Sequence, residues 1–158
     1  MSHTKIDIRH YLAIYEQLKQ AIEGLTEDEL RWKEAPEKWS VTEVLSHLAD
    51  HNLVVSFRIR EILSGSTARL PGFSQDAWVS NTKANEGSVA EILRVYQALL
   101  SYNSELFGRL SEDDWQKSGV QVNGKTVRLA DVVQAFIAHV QLHLAQIDRI
   151  KQALAEDK

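Results

Sequence analysis

Four long stretches of this chain carry apolar residues at three- and four-residue spacing, and that periodicity restricts the fold more than any other feature. The first runs from about Asp7 to Glu23, with Ile8, Leu12, Tyr15, Leu18 and Ile22 on one stripe, and stops at Gly24. The second follows Pro36, opens at Ser40 and continues to near Gly65 through Val41, Val44, Leu45, Leu48, Val55, Ile59 and Ile62. The third begins at Ser88 and carries Ile92, Val95, Tyr96, Leu99, Leu106 and Leu110. The fourth starts near Leu129 and carries Val132, Val133, Phe136, Val140, Leu144, Ile147 and Ile150. Ser40-Val41-Thr42-Glu43 and Ser88-Val89-Ala90-Glu91 both read as capping boxes, in which the serine hydroxyl takes an orphan amide and the glutamate reaches back. Four amphipathic helices of such length predict an all-α four-helix bundle. Two connections are long, residues 64–87 and 111–128. The first is long enough to cross the bundle, so up-down-up-down order does not follow. The second holds Asn123-Gly124 between short alternating runs, which predicts a small hairpin.

Composition removes several function classes. The chain has 158 residues, 44% of them hydrophobic and 25% charged, with no internal repeat or low-complexity tract. Residues 1–158 are therefore expected to form a single domain. No cysteine is present, which excludes disulfides, thiolate metal sites and a cysteine nucleophile, and which fits a cytoplasmic location. The start, Met1-Ser2-His3-Thr4-Lys5, has no apolar core of a secretory signal. No apolar run approaches the roughly 20 residues that span a bilayer. At a net charge of −4, with Lys and Arg scattered among Asp and Glu, the chain lacks a phosphate-binding footprint, so no nucleic-acid partner is expected.

Four of the six histidines form pairs at i, i+4, His47/His51 and His139/His143. That spacing stacks two rings one turn apart on one helix face. At about 100° per residue, His143 falls roughly 40° and His139 roughly 80° from the centre of the fourth apolar stripe. On the second helix His51 lies roughly 20° and His47 roughly 60° from the centre, so each pair edges the core. One reading makes these core-edge histidines that bond to carbonyls or to water. The other has them share a divalent ion, which would satisfy several imidazoles at once where few acids are available. An ion on three His, with positions left for water, is the arrangement of catalytic sites.

Several segments together look like a known family. Lys38-Trp39-Ser40-Val41 with His47-Leu48-Ala49-Asp50, then Arg58, then Leu70-Pro71-Gly72-Phe73-Ser74-Gln75-Asp76-Ala77-Trp78-Val79, and finally His139-Val140-Gln141-Leu142-His143-Leu144-Ala145-Gln146-Ile147 resemble the DinB-like superfamily of metalloenzymes. The likeness runs from about residue 10 to 155. Its relatives include bacterial thiol S-transferases that use bacillithiol or mycothiol, and a maleylpyruvate isomerase. The resemblance implies an up-down-down-up bundle with a long crossover between its second and third helices. It also implies a divalent metal, Zn or Ni, on His47, His139 and His143. By the same analogy the activity is transfer of a low-molecular-weight thiol to an electrophile, by a protein that forms a homodimer. A metal-dependent hydrolase, or a non-catalytic metal- or ligand-binding protein, is the alternative.

The sequence departs from the family pattern at Asn52, Val140 and Leu142, where acids or a further His are common. His51 and Arg58 are the candidate catalytic residues. His51 is open to three roles: fourth ligand, general base or core-edge residue. Arg58 is open to clamping an anionic substrate or pairing with an acid. Gln146 is placed to orient His139, Asp76, Trp78 and Asn81 to roof or anchor the crossover, and Trp32 and Trp39 to pack.

Overall fold

The computed structural model describes residues 6–158; the expectation drawn from Met1 to Lys5 lies outside them. Four long helices make the bundle: α1 (Ile8–Ala21), α3 (Val41–Leu63), α5 (Val89–Gly108) and α7 (Leu129–Asp157). Short helices α2 (Glu27–Arg31), α4 (Gln75–Asn81) and α6 (Glu112–Gln116) and a 3-10 turn (Ala84–Glu86) sit in the connections.

Side-chain contacts fix the direction of each helix. Ser40 Oγ donates to Asn85 Oδ1 (2.6 Å) before α3 and α5 begin, and Asn103 Nδ2 donates to Ser56 Oγ (2.9 Å) near their far ends, so the two run parallel. Tyr11, at the start of α1, packs on Phe107 at the end of α5, which makes that pair antiparallel. Tyr11 also meets Phe136 of α7, while Lys151 donates to the Ala21 carbonyl, so α1 and α7 run together. His51 lies on Phe136 and His47 beside His143, which sets α3 against α7. The order is up-down-down-up, and the 64–87 connection is the crossover.

Helices α3 and α7 follow the apolar stripes as read, and Ser40 with Glu43 closes a complete capping box. Two registers differ from expectation. On α1 the core takes Tyr11, Ile14 and Leu18, and Leu12 is 41% exposed. On α5 it takes Leu93, Tyr96, Leu100, Asn103 and Phe107, and Val95 is 45% exposed. On α5 the reason is Asn103: a polar residue in the centre of the buried face breaks the stripe, and the flanking Ile92, Leu99 and Leu106 carry a competing one. The second capping box is half formed. Ser88 Oγ accepts from the Glu91 amide (3.3 Å), but the Glu91 carboxylate takes Arg94 (2.6 Å) instead of reaching back.

The hairpin forms as β1 (Ser118–Val120) and β2 (Thr126–Arg128), antiparallel, with Ser118 opposite Arg128. Gly124 turns the chain at φ +84°, a conformation that costs glycine nothing. The hairpin's role is to pin the crossover. Leu70 N donates to Val120 O (2.6 Å), and a Cβ at Gly119 would meet Ile62 Cγ1 at 2.8 Å, so only glycine lets β1 lie against α3. Among the described residues no helix is long and apolar enough to cross a membrane.

Candidate metal centre

Because α3 and α7 are antiparallel neighbours, their histidine pairs meet. His139 Nε2 lies 3.1 Å from His143 Nε2 and 3.4 Å from His47 Nε2. One ring nitrogen from each of His47, His139 and His143 falls within 4.8 Å of the others, a group able to hold a metal ion. Burial is the first cause that lowers all three imidazoles, with neighbouring imidazoles adding to it for His47 and His139, which fall to about 4. Near neutral pH the rings are therefore uncharged and can offer lone pairs.

Gln146 Oε1 sits 2.8 Å from His143 Nδ1. With that oxygen accepting, Nδ1 carries the proton and Nε2 keeps its lone pair toward the other rings. The amide thus orients His143, one turn along the same helix, and not His139 as its helical angle implied. His47 Nδ1 and His139 Nδ1 are buried with no hydrogen-bond partner. Three uncharged rings crowding their Nε2 atoms, two of them otherwise unpartnered, suit a cation at the shared point. An all-imidazole donor set fits Zn, Ni, Fe or Cu alike.

His47 is the most buried of the four rings, at 1% exposure, although its helical angle placed it further from the core than His51. The burial comes from covering residues: Trp39 packs on its ring (centroids 5.1 Å) and Phe73 of the crossover lies over it (6.0 Å). Trp39 also stacks toward His143 (6.4 Å), so it walls the site and is more than a packing residue. The aromatic character of both segments was visible in sequence, but nothing local says which way a loop residue turns.

His51 is not one of the three converging residues. Its ring lies 4.0 Å from that of His139, between Phe136 (5.8 Å) and Phe73 (6.1 Å), and burial foremost lowers it to about 3. Its Nδ1 is buried and unpartnered. Arg58 donates through Nη2 to the Pro71 carbonyl (2.7 Å), so it ties the crossover to α3, and it pairs with no acid among the described residues. Trp78 packs edge-on to Phe73 (5.0 Å) and supports that roof. Asn81, at the end of α4, is exposed, and Trp32 packs against the core. Asp50, one turn from His47, has a buried Oδ2 without a partner, and burial raises its pKa.

A cleft of about 480 Å³ opens beside His143 and Gln146, walled by Trp39, Glu37, Asp76 and Arg149. Asp76 thus stands at the site entrance as expected of the crossover, whereas Arg58 is not among the lining residues.

Comparison with known proteins agrees with this architecture. The family model of the DinB superfamily matches residues 10–147. A protein of Oceanobacillus iheyensis, provisionally named a metal-dependent hydrolase, is 26% identical over 135 residues, 83% of this chain and 75% of its own length. YfiT of Bacillus subtilis, named in the same provisional way, is 22% identical over 139 residues, 87% of this chain and 78% of its own. Its solved structure, a four-helix bundle of unusual topology, superimposes with a TM-score of 0.85 at 20% identity, over 94% of this chain and 85% of that one. The mycothiol-dependent maleylpyruvate isomerase aligns at a TM-score of 0.69 and 10% identity, over 93% of this chain and 63% of the isomerase.

Proposed function

This chain belongs to the DinB superfamily, and on that footing we propose that it is a metal-dependent enzyme transferring a low-molecular-weight thiol to a small electrophile. His47, His139 and His143 would hold the ion, Zn or Ni. The observation that carries the reading is the convergence of three uncharged Nε2 atoms, one of them on His143, which lines a cleft. When bound, such an ion supplies Lewis acidity that keeps a coordinated thiol deprotonated near neutral pH. The thiol must be a cosubstrate, because the chain has no cysteine.

The protein's own groups orient and enclose. Gln146 fixes His143, and Trp39 and Phe73 exclude water from His47. His51, uncharged and packed beside His139, would line the covered side of the site, and the thiol proton would leave to solvent, since burial makes this imidazole a weak base. Arg58 contributes by holding the crossover over His51, a positioning role in place of a substrate clamp. Sulfur then bonds to the electrophilic carbon, and the displaced group leaves. A structural neighbour named for its dependence on mycothiol supports the thiol class. The second reading is metal-dependent hydrolysis, favoured by the names of the relatives. A cytoplasmic homodimer, in a single domain, completes the proposal.

The test measures conjugation of bacillithiol, mycothiol, glutathione or cysteine to monochlorobimane with Zn- or Ni-loaded protein. A rate above background that disappears in His47→Ala supports transfer. Background rates with every thiol and both metals would sink it in favour of hydrolysis or binding alone.

A further inference from the structure

The cleft beside His143 has an uneven charge distribution. Of its acidic and basic residues, Lys38 and Glu34 pair with each other (3.4 Å) and nearly cancel. Glu37, Asp76 and Arg149 remain, each exposed and none ion-paired among the described residues. They stand on different walls. Arg149 comes from α7, six residues beyond His143, about 9 Å along the axis at 1.5 Å per residue. Helical side chains lean toward the N-terminus, so a long guanidinium at this position leans back toward the imidazoles. Glu37 comes from the segment before α3 and Asp76 from α4.

Two further features make this arrangement a recognition surface. Glu37, Trp39 and Asp76 also line a second cleft of about 460 Å³, together with Lys83 and Glu86, which are opposite in charge. The acidic pair thus sits at the junction of two cavities. The less exposed lining residues of α7, His143, Gln146 and Ile150, carry no charge. A ligand in this cleft therefore meets, beside His143, one positive and two negative side chains with no ion-pair partner among the described residues.

We infer that this cleft selects a zwitterionic ligand, with a carboxylate on Arg149, an ammonium on Glu37 and Asp76, and its donor atom directed to His143. A simple anion would meet two carboxylates, and a simple cation would meet the guanidinium. A compact amino-acid-like molecule meets both needs at once, and an extended one has the second cleft for its remainder. The inference rests on the thiol reading only for the identity of the donor atom.

Two titrations test it separately from that reading. In the first, cobalt-loaded protein is titrated with cysteine, cysteamine and 3-mercaptopropionate, and the thiolate-to-metal charge-transfer band is followed. Cysteine should bind about fivefold more tightly than either truncated thiol, the size expected of a partly screened charge contact. Arg149→Gln should weaken cysteine and 3-mercaptopropionate but not cysteamine. Glu37→Gln with Asp76→Asn should weaken cysteine and cysteamine but not 3-mercaptopropionate. In the second, zinc-loaded protein receives serine, ethanolamine or 3-hydroxypropionate, and the side-chain amide resonances of Gln75 and Gln146 are followed. Serine should shift them at concentrations where the other two do not. No band with any thiol, together with a serine preference, overturns the thiol reading and leaves the cleft assignment standing. Equal response to all three members in either series, or selectivity untouched by the substitutions, overturns the cleft assignment.

Discussion

Asn103 and His47 are both buried, at 0% and 1% exposure, and both face neighbours on other helices of the same bundle, but their surroundings follow different rules. Asn103 is satisfied on both sides of its amide. Its Nδ2 donates to Tyr11 Oη (3.2 Å) and Ser56 Oγ (2.9 Å), its Oδ1 accepts from Arg60 (2.9 Å), and Ser56 passes the chain on to Asn52 Oδ1 (3.1 Å). His47 meets only other imidazoles, and its Nδ1 has nothing. A buried polar group costs roughly 1–3 kcal/mol when left unpaired, so bundles normally complete such networks. Asn103 itself is fully partnered within the chain and locks α1, α3 and α5 in register, and the one loose end is Asn52 Nδ2 at the edge of its network, buried without a partner among the described residues. The histidine cluster is incomplete within the chain: its Nε2 atoms crowd one another where a cation would fit, and the Nδ1 atoms of His47 and His139 have no partner among the described residues. The difference sets a polar cluster that serves the scaffold apart from one able to hold an ion, without reference to any relative.

The largest expected effect sets one cluster against the other. Asn103→Ala should destabilise the protein by about 2–4 kcal/mol, because Tyr11, Ser56 and Arg60 lose partners and a cavity opens. Its metal content, by elemental analysis, should be unchanged. His139→Ala should remove stoichiometric metal, yet change the urea stability of chelator-treated protein by less than about 1 kcal/mol. If the two variants cost the stripped protein equally, the histidines are part of the scaffold and the contrast fails.

Gln146→Leu comes next. It removes the one amide that holds a cluster imidazole in its tautomer, and outer partners of this kind are typically worth about 10–100-fold in metal affinity. Competition with a chromophoric chelator should show that loss for zinc, with little change in melting temperature. Gln146→Glu keeps an acceptor and should restore most of it. Leu and Glu variants of equal affinity would mean the hydrogen bond is incidental.

The clusters also respond to opposite ends of the pH scale. Burial first, then neighbouring imidazoles, lowers His47 and His139 to about 4 and His51 to about 3. An unfolded histidine titrates near the usual value of about 6.5, so below that pH the unfolded chain binds more protons. Stability of the stripped protein is then fully present above pH 6.5 and is lost as pH falls toward 4. Tyr11 is raised to about 12 by burial, against a smaller lowering by Asn103 and Arg60. Here the unfolded chain loses its proton first, and stability falls as pH rises from about 10 toward 12. Melting temperatures across both ranges check the pair. A flat profile from pH 7 to 5 after chelation would show the imidazoles to be solvated.

How legible each region was follows from the same chemistry. Helices α3 and α7 could be read because their stripes are uninterrupted and their histidines come in pairs that edge the core, while the choice of His47, His139 and His143 among them came from the family resemblance. The register of α5 was obscured by Asn103, whose burial depends on partners in α1 and α3 that no local pattern reveals. Helices α2, α4 and α6 are too short for periodicity; α2 buries only Leu30 and α4 only Val79. The signals that α2 and α6 do carry, Thr26 with Glu29 and Ser111 with Asp114, are capping boxes as complete as that of Ser40. Trp39, Phe73 and Arg149 take their roles from tertiary placement, so sequence could nominate the ligands but not the walls.

The smallest effect belongs to Arg58, because this one side chain obeys both rules. Its Nη2 is satisfied by the Pro71 carbonyl, while its Nε is buried without a partner, and its guanidinium is lowered by that burial. The satisfied half ties the crossover to α3 directly below Phe73, the ring that covers His47 and His51. Arg58→Met keeps most of the packing of the stem and removes both halves. Losing one exposed-side hydrogen bond costs about 1 kcal/mol, and removing an unpaired Nε gives some of that back, so net stability should move by less than that. The crossover should nevertheless loosen, seen as faster hydrogen exchange at the amides of Phe73, Trp78 and Val79, with metal content unchanged. If Arg58 were instead a substrate clamp, the variant would leave exchange at the crossover unaltered and weaken 3-mercaptopropionate more than cysteamine. Opposite results in those two measurements decide whether the residue belongs with the network that completes itself or with the cluster that waits for a ligand.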